Sequence, residues 1–498
     1  MERFPAAAIL AANASFLFER FLSLKKELRA FSSLPTEHNE PYILSLARDI
    51  CQSLPLHQGR ILAGVKNAYK LRDILCREVD ALPKALCCAL LEKLCPCFEE
   101  ALVPADEERA LSLQKTVSQC TQALHALSRI PFDILSEHMN PVSRVLQKEE
   151  TYRHMDRESR QFYVSRAAYL ARKWNLSETA VARAALALAE GKTGPEKEAG
   201  YYLIEQPQLI AAHLLKNKKA YSPSQKVRLF LLPPALAALL FSLVWVLLQA
   251  PLFLLPFAVI AFSQWVRQAF FRVLRHLYPP RMLPRLHKKY LADQRLLIVV
   301  PTLLTGKTQA LKTVSQLGTL HAATPHAHFL LLGDFPDGKE QFTQTDALTL
   351  RAARAAIAAL NAHHPHTFHY LQRSRSWDER QQSFCGRERK RGALEDLNLL
   401  LCGRECPDAF VYTSRPLSQW KNAYDQVLTL DADTFLPPGA AARMQGALLH
   451  PLQKGRIAVI APRMETLSMH IRTHTQQLLT AKGGTDGYHR LYPEVYQD

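Results

Sequence analysis

Two aspartates separated by one residue are the part of this chain most suited to chemistry. Asp431 and Asp433 stand in the run D-A-D-T, which directly follows the apolar segment Gln426–Leu430. Two carboxylates at this spacing can hold Mg²⁺ or Mn²⁺, since these ions prefer hard oxygen ligands and leave positions open for phosphate oxygens. Such a metal stabilises the charge that develops as a diphosphate leaves. An acidic turn after a strand has the same sequence, so the assignment depends on the surrounding residues.

Other polar residues follow the apolar runs that we predict to be neighbouring strands. Thr302 follows the run Leu296–Val300, and Asp334 ends a second run, with Asp337 shortly behind it. In open α/β sheets, ligands bind outside the carboxyl ends of the strands. We therefore expect Thr302, Asp334 and Asp431 to face one ligand site.

A basic segment with a glycine lies between the two acidic strand ends. It reads R-E-R-K-R-G-A-L over residues 387–394. Helix N-termini and cations both attract phosphate, and Gly392 permits close approach of the backbone. A basic run alone usually marks a solvated surface, but its position between two acidic strand ends favours a nucleotide site.

The elements that must position these residues alternate between strand and helix. We predict strands at 296–300, 329–332, 368–371, 426–430 and 458–460, with helices over 308–321, 347–361 and 390–402. This alternation is typical of a mostly parallel α/β sheet. Residues 1–200, in contrast, show apolar side chains at helical spacing and no strand-like run, which predicts an all-α domain.

Taken in order, these motifs resemble those of GT-A nucleotide-sugar transferases of the processive family 2 type. The match is closer to the glycosyltransferase module of cyclic β-1,2-glucan synthases, glycosyltransferase family 84. The resemblance spans residues 140–498 and rests on several stretches: Glu150–Asp156, Gly200–Ile204, Tyr278–Leu286, Val299–Thr305, Gly386–Gly392 and Leu430–Thr434, with Pro437, His450–Leu452 and Val495–Asp498 at the matching distances.

The resemblance implies a reaction and a set of donor ligands. UDP-glucose would be the donor, and glucose would pass with inversion to the 2-hydroxyl of a growing β-1,2-glucan acceptor. Thr302 would lie near the base, Asp334 at the uracil, and Lys390 at the nucleotide or phosphates. Asp431 and Asp433 would hold the metal.

The general base is the part of the family pattern that these residues lack. Inverting transfer needs a base on the acceptor hydroxyl, and the family's base is a carboxylate on a later strand, expected beyond Asp498. We therefore expect the donor-binding portion of a glucosyltransferase, which alone binds UDP-glucose without making glucan and which a C-terminal companion chain would complete. His470, His474 and Asp486 are conceivable substitutes, although surface roles are the simpler interpretation.

One uncharged segment predicts membrane insertion. Leu229 to Val266 is 38 residues without a charge, whereas a single span needs about 20. Pro251 near its middle favours two spans, at about 229–248 and 251–267, within a hairpin region over 201–290. The flanks 216–228 and 267–289 are basic, which places both in the cytoplasm of a multi-pass inner-membrane protein.

The basic flanks also explain the net charge of the chain. The formal charge is +17, and an excess of this kind needs an anionic partner. Since the flanks hold most of that excess, we expect lipid headgroups and not nucleic acid as the partner. The cysteine cluster Cys87, Cys88, Cys95 and Cys97 lacks paired C-x-x-C spacing, so reduced thiols are favoured over a zinc site.

Three functions remain open at this stage. The first is a membrane-bound glucosyltransferase, or its donor-binding half, with the third domain at 291–498 as its GT-A part. The second is a non-catalytic membrane protein that binds a nucleotide or a partner chain. The third is another polysaccharide synthase, similar to a cellulose or hyaluronan enzyme.

Overall fold

A computed structural model of the chain describes residues 5–215 and 282–461, apart from short gaps at 28–30, 33, 38–39, 102, 104–105, 292–293 and 405–407. These residues form two compact units. One unit holds residues 5–153 and 157–215, and the other holds 154–156 with 283–461.

The first unit is built almost entirely of helices. Its helices are α1 Pro5–Ala12, α2 Ala14–Glu27, α3 Tyr42–Gln52, α4 Gln58–Leu71, α5 Cys76–Glu100, α6 Glu107–Arg129, α7 Phe132–Met139, α8 Pro141–Leu146, α9 Glu150–His154, α10 Arg157–Trp174, α11 Glu178–Ala189 and α12 Pro207–Leu215. A π-helical turn, Tyr201–Glu205, precedes the last of them. The all-α prediction is confirmed apart from two short paired strands, β1 Thr36–Glu37 and β2 Glu40–Pro41.

The second unit contains the α/β part of the fold. Its strands are β3 Leu296–Leu303, β4 His328–Asp334, β5 Phe368–Arg373, β6 Ser376–Asp378, β7 Ser383–Cys385, β8 Phe410–Thr413 and β9 Gln426–Thr429. Its helices are α13 Lys307–Ala323, α14 Gln344–His363, α15 Arg389–Leu401 and α16 Ala440–Leu449. β6 and β7 form a small antiparallel hairpin beside the main sheet.

The main sheet has the order β8-β5-β4-β3-β9. The β3, β4, β5 and β9 strands run parallel, and β8 pairs antiparallel at the edge beside β5. In register, Thr302 lies opposite Gly333 and Leu303 opposite Asp334, so the carboxyl ends of β3 and β4 are level. The prediction of a mostly parallel α/β sheet is confirmed.

Helices cover both faces of this sheet. Along β3, Ile298 and Val300 pack toward α13 and α14, whereas Leu297 and Val299 pack toward α15. Successive side chains of a strand point to opposite faces, and all of these residues are buried. This explains why β3 reads as a continuous apolar run and not as an alternating one.

The prediction of a strand at 458–460 is wrong. These residues carry no strand pairing, and Val459 is 79% exposed. The fifth strand of the sheet is instead β8, which lies at the edge beside β5. Its mixed sequence F-V-Y-T does not predict a strand. An apolar triplet predicts a strand only when a neighbouring strand can pair with it, and local sequence does not carry that information.

β3 also continues further than predicted, through Pro301 to Leu303. A proline inside a central strand normally removes a ladder hydrogen bond. Here β9 pairs with β3 only as far as Val299, and the Leu430 N–H donates to the Val299 carbonyl at 2.9 Å. Beyond that point one side of β3 is open, so Pro301 costs no hydrogen bond of the sheet.

No single helix among the described residues is long and apolar enough to cross a bilayer. One bent pair, Ala6–Ala12 with Ala14–Lys25, meets the length and composition requirement together across a 68° bend. The predicted spans at 229–248 and 251–267 lie outside the described residues, so the membrane hairpin stays a prediction.

Candidate functional site

Two predicted donor residues stand at the level carboxyl ends of β3 and β4. Thr302 is partly buried, and its Oγ1 is enclosed without a hydrogen-bond partner. Asp334 ends β4 and is only 7% exposed. A buried polar oxygen without a partner is costly, so Thr302 presents an acceptor and donor at this edge that a ligand could satisfy.

Asp334 is paired with an arginine that no sequence motif indicated. Arg373 ends β5 and is 3% exposed, and its Nη1 donates to Asp334 Oδ1 at 3.1 Å and to Oδ2 at 3.0 Å. Burial raises the pKa of Asp334, and the neighbouring Arg373 charge opposes that rise. The ion pair therefore holds a carboxylate at the strand end that would otherwise tend to take up a proton.

The same guanidinium extends to the basic segment. Arg373 Nε donates to Asp396 Oδ2 at 2.8 Å, within α15. Its Nη2 donates to the Arg387 carbonyl at 2.9 Å, and its Nη1 to the Arg389 carbonyl at 3.2 Å. One buried side chain thus joins the end of β4 to the start of α15.

Gly392 is needed for this arrangement of the backbone. A Cβ at residue 392 would lie 2.0 Å from the Arg387 carbonyl oxygen and 3.0 Å from Arg373 Nη2. The helix α15 starts at Arg389, one residue before the start predicted at Lys390. Glu388 and Arg389 both have positive φ, at 51° each, so the chain turns sharply just before Lys390.

Lys390 and Asp431 lie in direct contact. The Lys390 Nζ donates to Asp431 Oδ1, and both side chains are about half exposed. Asp431 follows β9 in an open turn that the Thr434 N–H closes on the Asp431 carbonyl at 2.9 Å. The cation predicted at the phosphates and one carboxylate predicted at the metal are therefore neighbours.

Asp433 is exposed on the same turn as Asp431. Within the described parts of the chain, no cluster of three or more His, Cys, Asp or Glu residues has the geometry to hold a metal ion. Mg²⁺ is usually held by one or two carboxylates together with substrate phosphates. The donor set at 431–433 therefore suits a cation that binds with a diphosphate, rather than one held by protein ligands alone.

A second ion pair lines the approach to this edge. Arg389 Nη2 donates to Asp337 Oδ2, and Asp337 follows β4 by three residues. Arg389 was seen in the sequence only as one of several cations, and neither this pair nor Arg373 has a spacing that sequence rules recognise. The signal that could have drawn attention to Arg373 is its place at the end of an apolar strand.

The remaining predicted residues are quickly placed. His470, His474 and Asp486 lie outside the described residues. Cys87, Cys88, Cys95 and Cys97 all lie on the single long helix α5 and form no disulfide. Burial raises the pKa of the Cys88 thiol to about 12 and also raises that of Cys97, so the Cys88 and Cys97 thiols are protonated at neutral pH.

The second unit is an open, mostly parallel α/β unit. Acidic and basic side chains collect at the carboxyl ends of its strands, which is where such sheets bind ligands. In sequence, the chain is related to cyclic β-(1,2)-glucan synthase NdvB of Rhizobium meliloti (strain 1021), with 27% identity over 452 residues. The alignment covers 80% of this chain and 16% of NdvB. No family model matches the chain. The resemblance stated from the motifs is confirmed by this relative.

Proposed function

We propose that this chain carries the donor site of a membrane-bound glycosyltransferase that uses UDP-glucose in β-1,2-glucan synthesis. The observation that supports it most is the contact path along the strand ends, which joins Asp334 through Arg373 to the basic segment and then Lys390 to Asp431. The similarity to NdvB supports the same reaction.

Each residue has a role that suits its surroundings. Asp334 would accept a hydrogen bond from the N–H of the uracil, because a carboxylate paired with arginine remains an acceptor. Thr302 would bond the base through its unsatisfied hydroxyl. Lys390 would leave Asp431 for the diphosphate, where it meets more negative charge.

Mg²⁺ or Mn²⁺ bound at Asp431 and Asp433 would neutralise charge on the departing diphosphate. The side chains themselves would orient the donor, which converts transfer into an effectively unimolecular step. The glucan acceptor, the inner membrane with its anionic lipids, and the cytoplasmic placement of both units belong to the same proposal, as does a companion chain that completes the site.

The proposal is tested by binding of UDP to the purified full chain, measured by calorimetry with Mn²⁺ and with EDTA. We expect binding to need the metal, and Asp431→Asn or Asp433→Asn to weaken it roughly 10- to 100-fold, the loss expected for a charged ligand contact. Incorporation of glucose from labelled UDP-glucose by membranes containing the chain then tests the reaction.

Asp425→Asn is the matched control. Asp425 lies at the other end of β9 in an exposed ion pair with Arg295, at 3.1 Å, and such pairs contribute at most about 1 kcal/mol. Its substitution should leave UDP affinity unchanged. Equal UDP affinity in EDTA and in Mn²⁺ would show that D-A-D-T is only a turn.

A further inference from the structure

The buried Arg373 is hydrogen-bonded on all sides by protein groups of the candidate site. Its three nitrogens bond two carboxylates, Asp334 and Asp396, and two backbone carbonyls at the turn into α15. A buried charge is costly unless it is paired and hydrogen-bonded. Arg373 meets that condition, but only when the backbone at the start of the basic segment adopts this one arrangement.

The backbone that Arg373 binds is itself unfavourable. Glu388 and Arg389 lie in the left-handed region at φ 51°, which costs about 1 kcal/mol or more for each non-glycine residue. The carbonyls that accept from Arg373 belong to Arg387 and Arg389, so they bracket the strained pair. The guanidinium therefore stabilises the turn that sets the position of Lys390.

We propose that Arg373 is the positioning residue of the donor site, which fixes the carboxylate at the base end relative to the cation at the phosphate end. The inference rests on the proposed function but goes beyond it, because Arg373 need not touch the donor. It acts through Asp334 on one side and through the turn before Lys390 on the other.

This role has a consequence for charge as well as for geometry. The charged groups that act on Asp334 are Arg373 and Arg389, which favour its ionised form, and Asp396, which disfavours it. Removal of the Arg373 charge would raise the pKa of Asp334 further, because its burial would then be less compensated. A protonated Asp334 would no longer accept freely from a uracil N–H.

The test compares Arg373→Lys and Arg373→Gln with a second buried arginine, which lies two residues further along the chain. Arg375 is 4% exposed and pairs with Asp346 at 2.8 Å and 3.0 Å, at the start of α14. Arg375→Lys therefore removes a similar buried fork without altering the contacts of Asp334 or of the turn. Thermal melts, and the affinities for UDP and for uridine with Mn²⁺, are measured for each variant at about pH 6 and about pH 8.

Arg373→Lys should lower the affinities for UDP and for uridine together by roughly tenfold or more. The comparison is with Arg375→Lys, provided that the two variants have similar melting temperatures. In Arg373→Gln, part of the loss should return at the higher pH, as Asp334 ionises. If both Arg373 variants fail to fold, Gly386→Ala carries the prediction. The Cβ of the new alanine would lie 2.9 Å from Asp334 Oδ1 and 3.4 Å from Arg373 Nη1. This substitution should therefore weaken the binding of both UDP and uridine.

A folded Arg373→Lys chain with wild-type affinity for both ligands would overturn the inference while leaving the donor site in place. Equal losses in the Arg373 and Arg375 variants would overturn it too, since they would show a general effect of buried charge. A wild-type chain that binds no UDP would instead overturn the proposed function, and the inference with it.

Discussion

At the scale of single residues, Lys390 should act on phosphate and not on the base. Its side chain is about half exposed and contacts Asp431. Lys390→Ala should therefore weaken UDP binding by about 1.5–3 kcal/mol, the range for hydrogen bonds to charged groups, and leave uridine binding nearly unchanged. Calorimetric titration of the variant with both ligands measures the difference.

The neighbouring cation provides the control for this prediction. Arg391 is 81% exposed in its side chain and pairs with Glu388 at 3.4 Å, so Arg391→Ala should alter neither affinity beyond the weak effect of surface charge. Equal losses of UDP and uridine in Lys390→Ala would place Lys390 away from the phosphates.

The acidic residues of the site could be found from sequence, whereas its organising arginine could not. Asp334 and Asp431 directly follow long apolar runs, and parallel strands bring such positions to one edge. Arg373 stands in the run Q-R-S-R beside another buried arginine, Arg375, and nothing in the sequence shows which carboxylate each one pairs with. Arginines are almost never fully buried unless paired, so their burial follows from tertiary structure alone.

At the scale of elements, the turn into α15 should tolerate no side chain at Gly392. Gly392→Ala would place a Cβ 2.0 Å from the Arg387 carbonyl oxygen, and relief of such overlap typically costs about 1–3 kcal/mol. Because the shift moves the carbonyls that Arg373 binds, UDP affinity should fall as well. Thermal melts and UDP titrations of the variant measure both effects.

Gly318→Ala is the corresponding substitution in a helix interior. Its Cβ would meet only Leu360 Cδ2, at 3.6 Å, so the gain of helix propensity, about 1 kcal/mol, should raise the melting temperature without altering UDP affinity. If Gly392→Ala behaved like Gly318→Ala, the close packing of the turn would have no part in donor binding.

The elements with long apolar or periodic patterns could be located well from the sequence. β3, β4, β5 and helices α13 to α15 lie within a few residues of their predicted positions, since burial on both faces leaves a continuous signal. The edge strand β8 is only partly buried and pairs antiparallel with β5 through a register shift. An edge position requires few apolar residues, so its sequence gave no comparable signal.

At the scale of the molecule, the helical unit should lose stability as the pH rises. Burial raises the pKa of Glu149 to about 8 and also raises that of its neighbour Glu198. The buried phenol of Tyr163 and the carboxyl of Glu205 belong to the same surroundings. The Ala199 N–H donates to Glu149 Oε1 at 2.7 Å, which opposes the rise without cancelling it.

The direction follows from proton binding. Between the ordinary carboxyl pKa of 4.5 and about 8, folded Glu149 keeps a proton that the unfolded chain releases. This stability is therefore fully present below that window and is lost progressively as the pH rises through it. Glu149→Gln, which stays neutral, should reduce the dependence and stabilise the unit at pH 8 by about 1–3 kcal/mol.

Melting temperatures across this pH range test the prediction, with Glu190→Gln as control. Glu190 is exposed and is not among the charges that act on Glu149 or Glu198, so its neutralisation should leave the slope unchanged. An identical slope in wild type and Glu149→Gln would mean that Glu149 is ionised in the folded unit.

The backbone contacts of His154 and Asp156 have a consequence for how the chain is made. The Asp156 N–H donates to the Arg285 carbonyl at 2.9 Å, and the His287 N–H to the His154 carbonyl at 2.8 Å. Arg285 and Asp156 are 129 residues apart, and closing a loop of that length costs about 4 kcal/mol of chain entropy. At roughly 5–20 residues per second of synthesis, the ribosome makes Asp156 roughly ten seconds before its partner. The second unit therefore cannot close from its own contiguous sequence. Residues 154–156 have to wait for the segment around Arg285, which is made long after them.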